Sequence, residues 1–242
     1  MAFVLAQALT AWASTFTVNP IQLVLSGRTR SALLTLRNTS TETLRFQLSV
    51  YAWGQSPQGE MLLSPTGDIV FFPHLLTLAP GEERKVRVGA TTPPGSTEKT
   101  YRIVTEELPP RQQPLESSPG AQVRILTRMS IPIFLQPAKT LVEGRIEAMA
   151  VRHGRLSFQI KNSGTVHFLV QTIRVTGHGA AGEPALNRDL QGWYILAGGT
   201  RIYELDLPRE ECNKLRALTL EVHTAQKPLT ERLEILPSAC GQ

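Results

Sequence analysis

The sequence predicts an all-β chain of two sandwiches in series, and three observations carry that prediction. Short segments rich in Val, Ile, Leu, Phe and Thr recur between Gly, Pro, Ser and Asn turn signals along the whole chain. No amphipathic run of helical period extends beyond two turns. The strand rhythm restarts after Gln136-Pro137, and 242 residues leave room for two cores that need no metal or cysteine staple.

In the first half the segments are FTVNPIQLVL, SALLTLRN, LRFQLSVYAW, DIVFFP, RKVRVGA, TYRIVTEEL and finally AQVRILTRMSIPIFLQP, residues 121–137. The last alternates Val123, Ile125, Thr127, Met129, Ile131, Ile133 and Leu135 on one face, the period of an extended strand. It is far longer than the usual strand of about 5 to 6 residues, so it is expected to overshoot its sheet and leave part of that face without a partner. Directly before it lies PPRQQPLESSPG, a long polar stretch expected to be a mobile loop.

The second half reads LVEGRIEAMAV, RLSFQIKNSG, HFLVQTIRVTG, GWYILAGG, RIYELDLP, ALTLEVHT and LTERLEIL. The halves echo each other: LLTLRNTSTETLRFQLSV and LSFQIKNSGTVHFLVQTI are both strand, Asn-Ser/Thr turn, strand. We expect domains at 14–137 and 138–242, joined too closely for a loose tether.

Residues 1–13, within the apolar stretch MAFVLAQALTAWAS, read as a cleavable signal peptide ending in Ala11-Trp12-Ala13, too short to span a bilayer; no Lys or Arg precedes Arg28, and the alternative is an apolar first strand. No other run suggests membrane insertion, so the mature product is expected outside the cytoplasm. The two cysteines, Cys212 and Cys240, exclude a Cys-rich zinc site. In an exported protein they are expected to pair, the alternative being two buried thiols. The net charge of +5 comes from scattered Lys and Arg, which argues against a nucleic-acid surface.

Catalytic and cofactor motifs are missing: there is no HExxH, GxSxG, Walker loop or GxGxxG. GHGAAGE, residues 177–183, imitates a phosphate loop but leads into PALNRDL and reads as a hairpin turn. His74, His153, His167, His178 and His223 occur singly, without ligand spacing, and each reads as a solvated or satisfied histidine. Glu82-Glu83 and Glu210-Glu211 follow turn prolines and are expected to face solvent, while Glu107 ends a strand and reads as a structural carboxylate. No enzyme and no cofactor is indicated.

The run LLTLAPGEERKVRV followed by EKTYRIVTEELPPR resembles the first domain of the periplasmic pilus chaperones of the PapD type, with Pro-Gly-x-x-x-x-x-Arg, Glu-x-x-Tyr-Arg and Glu-Leu-Pro-Pro in order. IPIFLQP lies where that family ends its subunit-binding edge strand, and KNSGTVHFLV is similar to a turn of its second domain. The resemblance covers about residues 16–237 and implies a boomerang of two immunoglobulin-like domains that folds pilus subunits. The donor edge strand would be 121–136, lending Val123, Ile125, Thr127, Met129 and Ile131 to a subunit by β-strand addition before hand-over to an outer-membrane usher.

The family's two basic anchors for the subunit carboxylate fall on Gln22 and Pro132, neither of which carries a charge. Arg102 is the replacement candidate, with Arg128 or Arg124 sharing the role. The Ser-Ile-Pro-Ile-Phe run and the Tyr-Arg pair are similar to the archaic branch that serves spore-coat-U-like subunits. The resemblance also marks Arg87, Glu98 and Glu107 as framework ion-pair positions, although the family's partner for Glu98 falls on Gln136. The competing reading is an exported two-domain immunoglobulin-like adhesion or scaffold protein, which would blunt its edges with charge or proline.

Overall fold

In the computed structural model, which describes residues 12–13, 15–110 and 124–240, nearly all regular structure is strand. In chain order these are β1 (Trp12–Ala13), β2 (Phe16–Asn19), β3 (Leu23–Leu25), β4 (Ser31–Asn38), β5 (Leu44–Gln55), β6 (Met61–Pro65), β7 (Ile69–Phe72), β8 (Leu75–Leu78), β9 (Glu83–Ala90), β10 (Lys99–Leu108), β11 (Arg124–Ile125) and β12 (Arg128–Leu135). There follow β13 (Gly144–Arg152), β14 (Arg155–Asn162), β15 (Phe168–His178), β16 (Pro184–Gln191), β17 (Tyr194–Ile195), β18 (Thr200–Asp206), the four-residue helix α1 (Arg209–Cys212), β19 (Ala217–Thr224), β20 (Leu229–Glu234) and a 3-10 turn, Pro237–Cys240. Two compact units result. The first comprises the described parts of Met1–Ala52, Pro65–Pro93 and Tyr101–Phe134, and the second Trp53–Ser64, Pro94–Thr100 and the described part of Leu135–Gln242.

The first unit is a sandwich of a sheet ordered β2-β4-β9-β7 and a sheet ordered β3-β12-β10-β5, with β8 added to β5. Alternation decides which side chains go inside: Leu34, Leu36, Val86 and Val88 from one sheet, and Phe46, Leu48, Ile103 and Ile133 from the other, are buried. Phe16 on β2 meets Phe46 on β5 with ring centroids 4.7 Å apart, a direct tie between the sheets. The second unit packs β13-β14-β18 and β16-β15-β19-β20, with β17 on β15, around Leu156, Phe158, Ile160, Ile173, Val175 and Leu220. Its first hairpin turns on His153-Gly154, both at positive φ, a backbone shape that matches the twist of the strands it joins. The GHGAAGE stretch is the β15–β16 turn. The expected disulfide is present, joining Cys212 of α1 to Cys240.

The echo between the halves is a shared hydrogen-bonding device. Asn38 closes β4 and Asn162 closes β14, and both are fully buried. Asn38 Nδ2 donates to the carbonyls of Glu42 (2.7 Å) and Leu78 (3.0 Å), while its Oδ1 accepts from the Ser40 N–H (2.9 Å). Asn162 repeats this with Val166 (2.9 Å), Ile195 (2.9 Å) and the Gly164 N–H (2.9 Å). Each asparagine thus closes its own turn and ties it to a distant strand end. Asn162→Ala leaves buried backbone groups without partners and is expected to destabilise the second unit by about 2–4 kcal/mol. Urea unfolding of the variant measures this, and a loss below about 0.5 kcal/mol would show that water replaces the side chain.

Candidate functional site

The long alternating segment departs from its expected form in two ways. It is two strands, β11 and β12, separated at Leu126-Thr127. It is also not a free edge throughout, because β12 lies between β3 and β10 while β11 pairs in parallel with β1, Trp12 opposite Arg124 and Ala13 opposite Ile125. The overshoot itself is present. Along one face, Ile133 is fully buried and Ile131 is 2% exposed, Met129 and Thr127 are half-buried, and Ile125 is 54% exposed. Ile131 is therefore a core residue rather than an offered one, because the sandwich still covers the strand at that position. Val123 and the stretch 111–120 lie outside the described residues.

Buried polar side chains on β10 face the backbone where that exposure changes. Arg102, Thr105 and Glu107 are 4%, 0% and 2% exposed. Arg102 Nη1 donates to the Ser130 carbonyl at 3.1 Å, and the Thr105 hydroxyl donates to the Met129 carbonyl at 3.4 Å. The Glu107 carboxylate accepts the Thr127 N–H at 3.2 Å, while the Glu107 N–H donates to the Thr127 carbonyl at 3.0 Å. Tyr101, at the start of the same strand, donates its hydroxyl to the Asp68 carboxylate at 2.7 Å. Burial first, and that carboxylate second, push its phenol well above the usual range.

Among the other residues singled out in the sequence, Arg128 is exposed on β12, and Arg124 has its backbone in β11 but its side chain outside the described part. Gln22 is exposed and Pro132 is buried. Arg87 is exposed on β9, and among the described residues its hydrogen bond goes to the Ser31 hydroxyl at 3.5 Å instead of to a carboxylate, so the expected ion pair is replaced by a weak surface contact.

Glu98 does find a partner, but it is His167: Oε2 meets Nδ1 at 2.6 Å and accepts the His167 N–H at 3.0 Å, while the Glu98 N–H donates to the Thr165 carbonyl at 2.8 Å. His167 is thus a satisfied histidine, one of the two forms expected of it, with a partner far away in sequence. No local signal announces it, since only folding brings positions 98 and 167 together. Among the described residues no three His, Cys, Asp or Glu side chains are grouped to hold a metal ion, and no helix is long and apolar enough to cross a membrane.

The family model "Pili and flagellar-assembly chaperone, PapD N-terminal domain" matches residues 15–141. No curated protein matches the sequence. Among solved structures the chain resembles the CsuC–CsuE chaperone–tip adhesion subunit pre-assembly complex from archaic chaperone-usher Csu pili of Acinetobacter baumannii, at 17% identity and a TM-score of 0.61, covering 90% of this chain and 98% of that one. It also resembles the Salmonella enterica SafA pilin in complex with the SafB chaperone, at 16% identity and a TM-score of 0.59 over 93% and 99% of the two chains. The E. coli chaperone DraB matches at 17% identity and a TM-score of 0.53 over 94% and 99%. At these identities the likeness is one of fold, and it extends over both sandwiches. The family match takes in more than half of the sequence, from β2 through β12, and with the two-sandwich fold it places this chain among the pilus-assembly chaperones of the PapD type, whose fold and family are those of a chaperone and not of an enzyme.

Proposed function

We propose that this protein is a periplasmic chaperone that caps pilus or surface-fibre subunits, spore-coat-U-like ones on the resemblance of its edge strand, by donor-strand complementation through β11–β12. The observation that carries the reading is the exposure gradient along one strand face, from buried Ile131 and Ile133 to open Ile125. A subunit that lacks a strand presents an apolar groove and unpaired backbone. An extended segment with alternating apolar side chains supplies both. Ile125 and Met129 fill groove pockets, Thr127 lies between them, and Val123 continues the same alternation upstream. Residues 1–13 direct export, and domains bounded near Pro137 carry the two sandwiches.

Delivery to an outer-membrane usher is part of the same proposal. The outer face of the β2-β4-β9-β7 sheet supports it: Leu33, Val70 and Phe72 are 44%, 54% and 74% exposed on strands that share neighbours in β9, an apolar group of the kind that marks interaction surfaces. The reading is tested by co-expression with a candidate subunit. A one-to-one complex is expected, and a subunit that folds and accumulates equally well alone counts against the chaperone and for an adhesion or scaffold role.

For the subunit's terminal carboxylate, Arg102 is the proposed anchor, with Arg128 and Arg124 as the alternatives. Its guanidinium already touches the donor backbone at Ser130, and a planar donor pair suits a carboxylate. Arg102→Ala is expected to weaken subunit binding by about 10- to 100-fold. Calorimetric titration that finds unchanged affinity would move the anchor to another arginine.

A further inference from the structure

We infer that Glu107 is a positioning residue for the donor segment: its buried carboxylate stands in for a missing ladder acceptor and fixes the joint at Leu126-Thr127 from which β11 projects. The inference rests on the donor-strand reading for its biological meaning, but its physical core concerns the free protein alone.

A strand that leaves its sheet must lose regular pairing at the point of departure, and backbone groups there need other partners. Leu126 and Thr127 are the two residues between β11 and β12 and belong to neither strand. Here the Thr127 N–H is taken by the Glu107 side chain, while the Thr127 carbonyl still receives the Glu107 main-chain N–H. One residue therefore holds both peptide units that flank the Thr127 Cα, through its backbone and its carboxylate together. Two further backbone acceptors along the strand, the carbonyls of Met129 and Ser130, are met by Thr105 and Arg102 from the same strand β10. Three of the buried polar side chains described in the first unit are thus spent on three donor positions, 127, 129 and 130.

A carboxylate buried to 2% is costly unless its bonds matter to the fold or to what the fold presents. An apolar residue at position 107 would fill the space beside Phe46, its register partner on β5, without that cost. What a carboxylate adds is a fixed acceptor, which holds Thr127 in one orientation and so sets the direction in which Ile125 points. Without it the joint would be held only by the Glu107 main chain and the β1–β11 pairing, and a partner would have to order it further on binding.

The test compares wild-type protein with Glu107→Ala and Glu107→Gln by amide hydrogen exchange, using Ile133 as a core reference. In wild-type protein the Thr127 amide should be protected, and exchange there at the rate of an open chain overturns the proposal whether or not a variant folds. In Glu107→Ala the Thr127 amide should exchange about 10- to 100-fold faster while Ile133 changes much less, and Glu107→Gln, which keeps an acceptor oxygen, should restore most of the protection. Equal acceleration at Thr127 and Ile133 would mean that Glu107 serves only overall stability, and the positioning role falls. Subunit capture is measured in parallel. If wild-type protein captures no subunit, the donor-strand reading fails while the exchange result stands; if it does, Glu107→Ala should capture about tenfold less weight for weight than Glu107→Gln.

Discussion

Aspartate at both Ile125 and Met129 is expected to abolish recovery of a subunit complex while leaving the chaperone folded. Ile125 is 54% exposed and Met129 half-buried, so neither anchors the first sandwich. On donation both would be buried, each contributing about 1.5–3 kcal/mol. Losing the pair removes about 3–6 kcal/mol, more than a hundredfold in affinity, before the cost of burying two carboxylates is counted. Titration of a subunit and thermal unfolding of the free variant separate the two effects. Binding within about threefold of wild type would show that another strand is the donor. Ile131→Asp provides the contrast: at 2% exposure it should unfold the first unit instead.

The disulfide carries the second large effect. Cys212 and Cys240 close a loop of sequence separation 28, and cross-linking that length restricts the unfolded chain by about 3–4 kcal/mol. α1 is a single turn with no side-chain cap, too short to persist alone. Both cysteines belong to the second core, beside Leu215 and Ile235. Cys212→Ala/Cys240→Ala is therefore expected to lower the unfolding free energy of the second unit by on the order of 3 kcal/mol in urea, and reductant should do the same to wild-type protein. An unchanged midpoint in both would mean that core packing alone holds the C-terminal turn.

The strands that were legible in the sequence are those with one buried and one open face. β4, β9, β14 and β19 alternate cleanly and fall where the apolar period places them. β6 and β16 were not legible, because every residue of β6 is exposed and β16 has a single buried residue, Leu186, so neither carries an apolar period. GWYILAGG reads as a strand but supplies only the two residues of β17, since its glycines shape the following turn. At the candidate site, the alternation and Arg102 were visible in the chain. The grip of Glu107 on Thr127 and the pairing of Glu98 with His167 were not, because both join residues far apart in sequence through bonds that no local pattern encodes.

The shared alternation of β11 and β12 in the sequence would tie readiness for work to correctness of folding. Ile133, Ile131, Met129 and Ile125 occupy alternate positions, so a slip of one residue in β12 would take Ile131 and Ile133 from their own places in the core and, if the strand is donated as proposed, turn Ile125 and Met129 away from a subunit at the same moment. A molecule that has packed its own first sandwich in the wrong register cannot offer a serviceable strand. On the donor-strand proposal the segment acts as its own inspector: only a chaperone that has finished folding would hold out the face on which another protein is to fold.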